Sequence, residues 1–434
     1  MKRTVSVVFL VAGLLVAASP AFAQRDLEIP IAFDFINPGA RSLALGGAFI
    51  GVADDATAAT TNPAGLHRLS RKEVSIEGRG WQFITDFVQG GRLSGVATQR
   101  GFDTTAEPVF GQTKTRVPGL SFVSFVYPKG QWRFAGYRQE ASRTKTNAQT
   151  TGAFFTETDS VGVRRDFREF PTITERELNL VNWGGTASVR AGIVSVGGGV
   201  YVSQLSYDSL LTGFNTPADF YAAPVYTQQI YQSTQTGDDT GLGFSAGVMV
   251  SPNDMVQFGA SYRRGAKFDF EGNLNYPGFP EVSGTYTGEF KAPDNFGAGV
   301  SVRPFQGLMI AFDVNRVTYS DLTDFVRTQV RFFEEDRPLY SVDDATEVHL
   351  GGEYVFSQFA LLPAVRAGVW RETQHAVTYT GTDILYTTTA SLARDVTHFS
   401  FGGGIAPSPR FEINAGFDVA DTANTMSFSA ILRF

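Results

Sequence analysis

Apolar and polar side chains alternate with a period of two along most of the chain after residue 70. The C-terminal segment shows this most clearly, because one of its faces carries Met426, Phe428, Ala430, Leu432 and Phe434. Similar alternation occurs in the segments 194–203, 256–263, 347–356 and 411–419. Successive side chains of a β-strand point to opposite faces, so each segment presents one apolar face and one small or polar face. The pattern therefore predicts an all-β protein.

Short and long connections alternate between the predicted strands. Six short turns are separated by longer polar segments, and the turns carry the Pro, Gly, Asn and Asp residues that favour tight turns. We expect fourteen strands, at about residues 71–84, 116–127, 131–147, 178–190, 193–207, 240–251, 255–272, 284–303, 308–326, 345–357, 362–378, 396–406, 411–420 and 425–434. An even strand number with short turns at one end and long loops at the other is typical of a transmembrane antiparallel β-barrel. The alternative, a soluble sandwich, has strands of only about five to six residues.

The first 23 residues have the features of an export signal. Lys2 and Arg3 precede a short apolar segment, and the sequence Ala21-Phe22-Ala23 supplies the small residues that signal peptidase requires. We therefore expect residues 1–23 to be a signal peptide. After residue 23 no apolar stretch approaches the 18 residues of a membrane-spanning helix. Together with the strand pattern, this predicts a location in the outer membrane of a Gram-negative-type bacterium.

The composition excludes several classes of protein. The 434 residues include 46 Gly and 38 Phe but no Cys, and only 18% of them are charged. A hydrophobic content of 43% excludes intrinsic disorder, and the lack of Cys excludes a disulfide scaffold. The net charge of −7, with no basic run, indicates that nucleic acid is not a partner.

Residues 24–70 do not alternate, and we call this segment the hatch. Asp54 or Asp55 is expected to cap a short Ala-rich helix within it. Asn62 precedes Pro63 and should end that helix, whereas Pro63 is suited to begin a further helical turn. Because the segment is rich in Ala, Leu and Gly rather than in charge, we expect it to plug the lumen of a barrel formed by residues 71–434. The alternative is a loose periplasmic tail.

The run from Gly39 to Leu66 carries a family resemblance. It contains the sequences Gly-Ala-Arg-Ser, Gly-Gly-Ala-Phe, Ala-Asp-Asp-Ala and Asn-Pro-Ala-Gly-Leu, the last of which places Asn62, Pro63, Ala64 and Gly65. This run resembles the N-terminal hatch of the FadL-type outer-membrane transporters of long-chain fatty acids, a superfamily that also includes aromatic-hydrocarbon channels. The strand pattern from about residue 116 to the C-terminus is similar as well.

The resemblance implies a fourteen-stranded barrel and uptake of hydrophobic molecules without any cofactor. It also implies that a ligand binds between extracellular loops, passes to the hatch, and leaves sideways where the third strand is kinked. The third strand here spans about residues 131–147. A second function remains open at this stage, namely a PorV-like barrel that acts as a secretion or assembly accessory.

Aromatic and basic residues of the long loops are the candidate ligand contacts. Phe154, Phe155, Phe220 and Tyr221 are expected to line an apolar site, and Arg164 or Lys267 to anchor a carboxylate head group. At the C-terminus, Phe428, Leu432 and Phe434 resemble the signal by which the barrel assembly machinery recognises its substrates. Tyr127, Trp132, Trp183 and Trp370 are expected in an aromatic girdle facing the membrane. Outer-membrane lipids and lipopolysaccharide are further expected partners, the latter near the acidic run Glu334–Asp336.

Enzymatic and metal sites have little support in the sequence. His398 and Ser400 lie two residues apart, on one strand face, as in barrel-embedded hydrolases in which an imidazole activates a hydroxyl. No third residue that would orient the imidazole is evident from the sequence. No two of the four His share a short spacing, and we expect neither a metal site nor an enzyme.

Overall fold

The computed structural model describes residues 37–159, 161–277, 280, 283–329 and 337–434. The predicted signal peptide, residues 24–36 of the hatch and the run Glu334–Asp336 lie outside these ranges.

Fourteen antiparallel strands form a closed barrel. Their bounds are β1 Glu73–Gly91, β2 Pro108–Lys129, β3 Trp132–Gln149, β4 Thr172–Ala191, β5 Val194–Phe214, β6 Gln229–Val250, β7 Val256–Arg264 continued by Lys267–Asn275, β8 Gly284–Lys291 continued by Asn295–Phe305, β9 Leu308–Val317, β10 Ala345–Val355, β11 Ala364–Glu372, β12 Val396–Ser408, β13 Phe411–Val419 and β14 Ala423–Arg433. Each strand pairs with its neighbours in sequence, and β14 pairs with β1, which closes the sheet. A closed sheet has no first or last strand whose backbone N–H and carbonyl groups would lack partners in the hydrocarbon layer.

The predicted number of strands and the alternation of short and long connections are confirmed. Some strands that flank the long loops are longer than predicted. The first strand reaches Gly91 instead of residue 84, and the sixth begins at Gln229 instead of residue 240. The prediction that the ninth strand continues to residue 326 is wrong, because the chain leaves the wall after Val317. The eleventh strand likewise ends at Glu372 instead of residue 378.

Short helices occur in the hatch and in two long loops. They are α1 Ala40–Ala44, α2 Ala58–Thr61, α3 Thr323–Gln329 and α4 Ile384–Ala390, together with 3-10 turns at Pro63–Arg68, Tyr319–Leu322 and Arg337–Leu339. In the described residues, no helix has the length and apolar character needed to cross a membrane. The turn Tyr319–Leu322 and α3 fold inwards, where Phe325 and Val326 are buried against aromatic side chains of the wall. They fill part of the lumen at the long-loop end.

The outer face of the barrel is apolar. Large side chains that are well exposed on it include Phe125, Phe134, Leu242, Phe312 and Phe399. A continuous exposed apolar surface of this kind suits contact with lipid. Tyr127, Trp132 and Trp183 are also exposed there. Trp370 is not part of this girdle, because it points into the lumen and its indole N–H donates to Asp418 at 3.2 Å.

The last strand ends against the first two strands. The backbone N–H of Phe434 donates to the carbonyl of Lys72 at 3.0 Å. The ring of Phe434 stacks on Phe125 with a centroid distance of 6.4 Å. Phe428 and Leu432 point outwards from the same strand and are about half exposed. Whether these three residues act as an assembly signal stays a prediction.

We expect the substitution Phe434→Asp to reduce sharply the amount of folded protein in the outer membrane. It removes the stacking contact and places a charge on the lipid-facing surface, where charge is unfavourable. Heat-dependent mobility on a denaturing gel, measured on membrane fractions, reports the folded amount. The conservative variant Phe434→Tyr should stay near wild-type levels, and equal levels for Phe434→Asp and wild type would show that the terminal ring is incidental.

Candidate functional site

The described part of the hatch, residues 37–70, lies inside the barrel, and the side chain of Asn62 connects it to the wall. Asn62 donates from Nδ2 to the carbonyl of Ile50 at 3.1 Å and to that of Val248 in β6 at 3.3 Å. Its Oδ1 accepts from the backbone N–H of Ala64 at 3.2 Å and so caps the turn that Pro63 begins. Asn62 is fully buried. One side chain therefore joins two parts of the hatch to the wall.

Glycines of the wall face the hatch and leave it no room for side chains. A Cβ added to Gly247 would lie 2.2 Å from Oδ1 of Asn62, and one added to Gly197 would lie 2.5 Å from the carbonyl carbon of Pro63. The same holds around the circumference, and we call the following set the glycine collar: Gly197, Gly247, Gly259, Gly299, Gly351, Gly368, Gly402 and Gly416. Gly65 is equally crowded within the hatch, since a Cβ there would lie 2.1 Å from the carbonyl oxygen of Ala53.

Polar side chains of the wall satisfy the backbone of the hatch. Asp313 of β9 is fully buried and accepts from the N–H of Ile50 at 2.6 Å. Ser301 of β8 donates to the carbonyl of Gly51 at 2.9 Å. Nδ1 of His349 in β10 lies 2.7 Å from the carbonyl of Gly46. Buried backbone groups require such partners, because leaving one unpaired costs about 1 to 3 kcal/mol.

An ionic network fixes the periplasmic side of the hatch. The guanidinium of Arg41 contacts both carboxylate oxygens of Glu353 at 2.8 Å and Oδ1 of Asp54 at 2.5 Å. Arg303 reaches the other oxygen of Asp54 at 3.2 Å, and Arg366 contacts Glu353 at 2.6 Å. The hatch and three wall strands thus share one cluster of alternating charges.

The prediction that Asp54 or Asp55 caps a helix is wrong. Helix α2 begins after Thr57 and has no side-chain cap. Asp54 is occupied by arginines, and Oδ1 of Asp55 accepts from the backbone N–H of Thr57 at 2.9 Å and from its hydroxyl, within a turn that precedes the helix. The sequence placed the acidic pair correctly before a helix, but ion pairing across the chain decided its role.

Three aromatic rings are stacked along the lumen wall. Trp370 stacks on His398 at a centroid distance of 3.8 Å and on His349 at 5.2 Å. Nδ1 of His398 lies 2.7 Å from Asp418, and its Nε2 lies 3.0 Å from Glu372. Both ring nitrogens of His398 therefore contact carboxylates.

This cluster does not have the arrangement of a hydrolase. Ser400 donates to Oδ1 of Asp418 at 2.5 Å rather than to His398. Because both nitrogens of the imidazole are engaged by carboxylates, neither is placed to take the proton from Ser400. Within the described ranges there is also no group of three or more metal-ligating side chains suited to an ion.

Three small cavities lie in sequence along one side of the lumen. The loop cavity, of about 120 Å³, is lined largely by apolar groups that include Phe83, Leu392 and Val396. The wall cavity, of about 20 Å³, shares Phe83 with it and adds Trp81. The hatch cavity, of about 50 Å³, shares Trp370 and Asp418 with the wall cavity. Ligand sites usually measure about 300–1,000 Å³, so side chains must move before a substrate passes.

The ladder of hydrogen bonds between β2 and β3 ends part-way along both strands. Its last pair is Phe122 with Gln139. Beyond it, residues 108–121 of β2 pair only with β1, and residues 140–149 of β3 pair only with β4, among the residues that the structure describes. We call these two stretches the wall break. The third strand was the candidate for a kink, and this is where the structure interrupts the wall.

Two β-bulges coincide with the start of the wall break. The register of β2 on β1 shifts between Glu77 and Gly78, which leaves Ser121 extra, and that of β3 on β4 shifts between Glu140 and Ser142. A bulge adds one residue to one strand and bends it. The bends let β2 and β3 part, and the wall cavity lies directly behind, because it is lined by residues 140–143.

Most of the predicted ligand contacts do not line an open site. Phe154, Phe155 and Tyr221 are buried within the extracellular loops, where Phe154 stacks on Tyr221 at 5.8 Å. Phe220 lies beside Tyr221 at 4.1 Å. These rings form the core of the loops themselves. The sequence indicated an apolar cluster in these loops, but it did not show that the rings pack against one another and leave no space for a ligand.

The two predicted anchors are both on the outside. Arg164 is exposed near the tip of a loop hairpin formed by Phe154–Thr158 and Arg164–Arg168. Lys267 lies on the outer face of β7, where it contacts Glu289 at 2.7 Å with more than half of its side chain exposed. Neither position suits a head-group anchor in the lumen, so this prediction is wrong for both residues.

A buried arginine holds the loop core together. Arg92 is fully buried and contacts both oxygens of Asp103 at 2.7 and 2.8 Å. It also donates to Asp166 at 3.1 Å, which joins the first loop to the second. Burial alone would raise the pKa of Asp103, but the hydrogen bonds from Arg92 and Thr98 hold that pKa below its ordinary value. The first and second extracellular loops are thus tied to each other by charge.

Several residues of the site were not predicted. Asp313 sits in an ordinary alternating run, and Arg41 was quoted only as part of a motif, while their partners are far away in sequence. The bulge that buries Glu140 leaves no mark in the sequence.

Comparison with known proteins gives one family match. The profile of the family described as "Outer membrane protein transport protein (OMPP1/FadL/TodX)" matches residues 187–427. No curated protein sequence matches the chain.

Solved structures share the fold. A FadL homologue of Pseudomonas aeruginosa superposes with a TM-score of 0.60 and 14% identity, over 94% of this chain and 99% of that one. The CymD monoaromatic hydrocarbon channel superposes with a TM-score of 0.56 and 15% identity, over 93% of this chain and 99% of that one. The toluene transporter TbuX of Ralstonia pickettii superposes with a TM-score of 0.54 and 15% identity, over 94% of this chain and 99% of that one. At such identities the likeness concerns the fold alone.

Substituting Ala for Gly416 of the glycine collar should destabilise the protein. The added Cβ would lie 2.3 Å from the backbone oxygen of Ala40, which cannot move independently of the hatch. We expect a loss of about 1–3 kcal/mol in the free energy of unfolding, as for other overpacked sites, measured from urea unfolding followed by gel mobility.

The matched control is Gly136→Ala in β3, where the new Cβ meets no atom within 4 Å. Both substitutions carry the same change in strand propensity, so their difference isolates the contact with the hatch. Equal unfolding midpoints for the two variants would argue against tight seating of the hatch.

Proposed function

Because this chain belongs to the OMPP1/FadL/TodX family of outer-membrane transport proteins, we propose that it takes up hydrophobic molecules, either long-chain fatty acids or aromatic and aliphatic hydrocarbons. The observation that carries the proposal is the wall break, which lies next to a line of partly aromatic cavities above a tightly seated hatch. Such molecules partition poorly into the polar lipopolysaccharide layer, and a lined passage lets them avoid it.

Entry takes place on the long-loop side. The loop cavity is the largest of the three and is lined mostly by apolar groups, and Phe83 connects it with the wall cavity. From there the wall cavity continues past Trp81, and Trp370 lines both it and the hatch cavity. Apolar lining with a few polar groups is the usual character of a site for such ligands.

Exit takes place sideways through the wall break. The hatch is buried against the glycine collar, so a straight route towards the periplasm would require it to leave its place. The wall cavity, by contrast, is lined by residues 140–143 at the start of the wall break. A hydrophobic molecule that leaves here reaches the membrane sideways, without displacing the hatch.

Names of the structural relatives suggest which probes to try first. CymD is described as a monoaromatic hydrocarbon channel and TbuX as a toluene transporter. Alkylbenzenes are therefore sensible probes beside a long-chain fatty acid. Lipopolysaccharide and the barrel assembly machinery remain expected partners.

The accessory function has less support. A barrel that only anchors cargo needs no opening in its wall, whereas unpaired stretches of two strands are costly unless they serve a purpose. The buried ionic cluster of Arg41, Asp54 and Glu353 is a means of seating the hatch that either function could use.

Substituting Ala for both Asn62 and Pro63 should slow uptake several-fold while the barrel still folds. The double variant loses the bonds from Asn62 to Ile50 and Val248 and the fixed turn at Pro63. Uptake of a labelled fatty acid and of a labelled alkylbenzene is measured in cells that lack their own transporter, at equal surface levels.

The control variant, Pro252→Ala with Asn253→Ala, removes the same residue types from an exposed turn between β6 and β7. It should transport like wild type. If wild type transports neither probe better than cells with empty vector, the accessory function is favoured. If wild type and the hatch variant transport equally, the hatch motif is structural only.

A further inference from the structure

Glu140 occupies an unusual position at the start of the wall break. Along β3, the exposed residues Trp132 and Phe134 belong to the outward row, and Glu140 continues that row. Yet Glu140, Ala141 and Ser142 are all buried, with exposures of 6%, 4% and 4%. Successive side chains of a regular strand point to opposite faces, so the outward row should be exposed here as it is at Trp132, and the bulge at this place accounts for the burial.

The carboxylate of Glu140 fills a space opposite β2. A Cβ added to Gly119 would lie 2.6 Å from Oε2 of Glu140. The side chain therefore reaches from β3 across the wall break to the backbone of β2, and the absence of a side chain at Gly119 makes room for it. Arg138 also reaches across, since its guanidinium donates to the carbonyl of Leu120.

The side chains around Glu140 are incompletely paired. Oε1 of Glu140 accepts from Arg143 at 3.1 Å, and Arg143 also contacts Glu177 at 3.2 Å. Oε2 of Glu140, Nε of Arg143 and Oγ of Ser142 are buried without a hydrogen-bond partner among the described residues. Buried polar atoms in this state are costly, and a place that must open and close explains why they are retained.

We propose that Glu140 is the gate of the wall break. With its carboxylate against Gly119 the passage from the wall cavity to the membrane is closed, and rotation of the side chain towards solvent opens it. The proposal rests on the proposed sideways exit of hydrophobic molecules. It assigns to this chain a residue that controls the rate of exit and touches neither the hatch nor the loop cavity.

The outward rotation of Glu140 has a small free-energy cost. The guanidinium of Arg143 is 22% exposed and has Glu177 as a second partner, so it keeps a counter-charge when Glu140 swings away. The carboxylate leaves a site where one oxygen is unsatisfied. A buried carboxylate with only one of its oxygens paired regains hydration when it turns outwards, which suits a gate that a permeant displaces.

The first test is the rate of uptake of a labelled alkylbenzene at equal surface levels. We expect Glu140→Ala to raise the initial rate about two- to fivefold, because the side chain that closes the passage is removed. The matched control is Glu289→Ala, which removes a carboxylate paired with Lys267 on the outer wall, far from the wall break. It should not change the rate.

The second test closes the gate with a disulfide and compares the oxidised and reduced forms of the same variant. The chain has no Cys, so Gly119→Cys combined with Glu140→Cys introduces the only thiols. Oxidation with diamide should join them across the wall break and reduce uptake at least about tenfold, and reduction with dithiothreitol should restore it. The control pair, Val196→Cys with Val248→Cys, lies directly opposite on the paired strands β5 and β6, and its disulfide should leave uptake unchanged.

The outcomes separate the gate from the function on which it rests. If wild type takes up the alkylbenzene but oxidation of the Gly119/Glu140 pair has no effect, the gate is overturned and the transport function stands. If Glu140→Ala and Glu289→Ala take up the alkylbenzene at the same rate, Glu140 does not control exit and the gate is likewise overturned. If wild type takes up nothing, the proposed function fails and the gate fails with it.

Discussion

The barrel wall and the hatch touch backbone to backbone, and this contact is possible only where the wall has no side chains. Gly368 meets the backbone of Gly46, and Gly351 meets the carbonyl of Leu45, in each case at a distance that no Cβ would allow. Because the hatch comes so close, its N–H and carbonyl groups lose water and need partners in the wall, which Asp313, Ser301 and His349 supply. The collar and the polar wall are therefore two consequences of one close approach.

The seated hatch also decides where a permeant can go. It closes the periplasmic end, and the inward loop with Phe325 fills part of the other end, so the free space remains along one side of the lumen. The three cavities follow that side and lead to the wall break. If the hatch were loosely packed, a water-filled path would open beside it, and a sideways exit would have no advantage over diffusion through the pore.

The fold was predictable from sequence to a large extent, because alternation is a local property of each strand. The barrel residues Val256–Arg264 and Phe411–Val419 have a clear period of two, and both are strands. The continuation of the ninth strand to residue 326 was wrong, because Phe325 and Val326 are both buried next to each other in α3, whereas adjacent residues of a strand point to opposite faces. Ligand contacts were harder: Phe154 and Tyr221 are apolar in either role, and only the position of Arg92 and Asp103 shows that they pack among the loops. Pairing over long sequence distances, such as Arg41 with Glu353, leaves no local signal.

The position of the wall break follows from the high cost of exposing unpaired backbone groups to the hydrocarbon of a bilayer. Strand edges cannot face hydrocarbon, since their N–H and carbonyl groups would find no partner there. At the last pair of the β2–β3 ladder, the neighbouring exposed side chains Leu120 and Trp183 are still apolar. Further along, β2 carries Arg116 and Lys114 and β3 carries Lys145. The wall break thus begins where the apolar surface gives way to charge, so its backbone faces the hydrated head-group layer. Arg138 satisfies the first freed carbonyl, that of Leu120, from the opposite strand. A sideways exit at this height delivers a molecule to the edge of the hydrocarbon without exposing the barrel's own backbone to it.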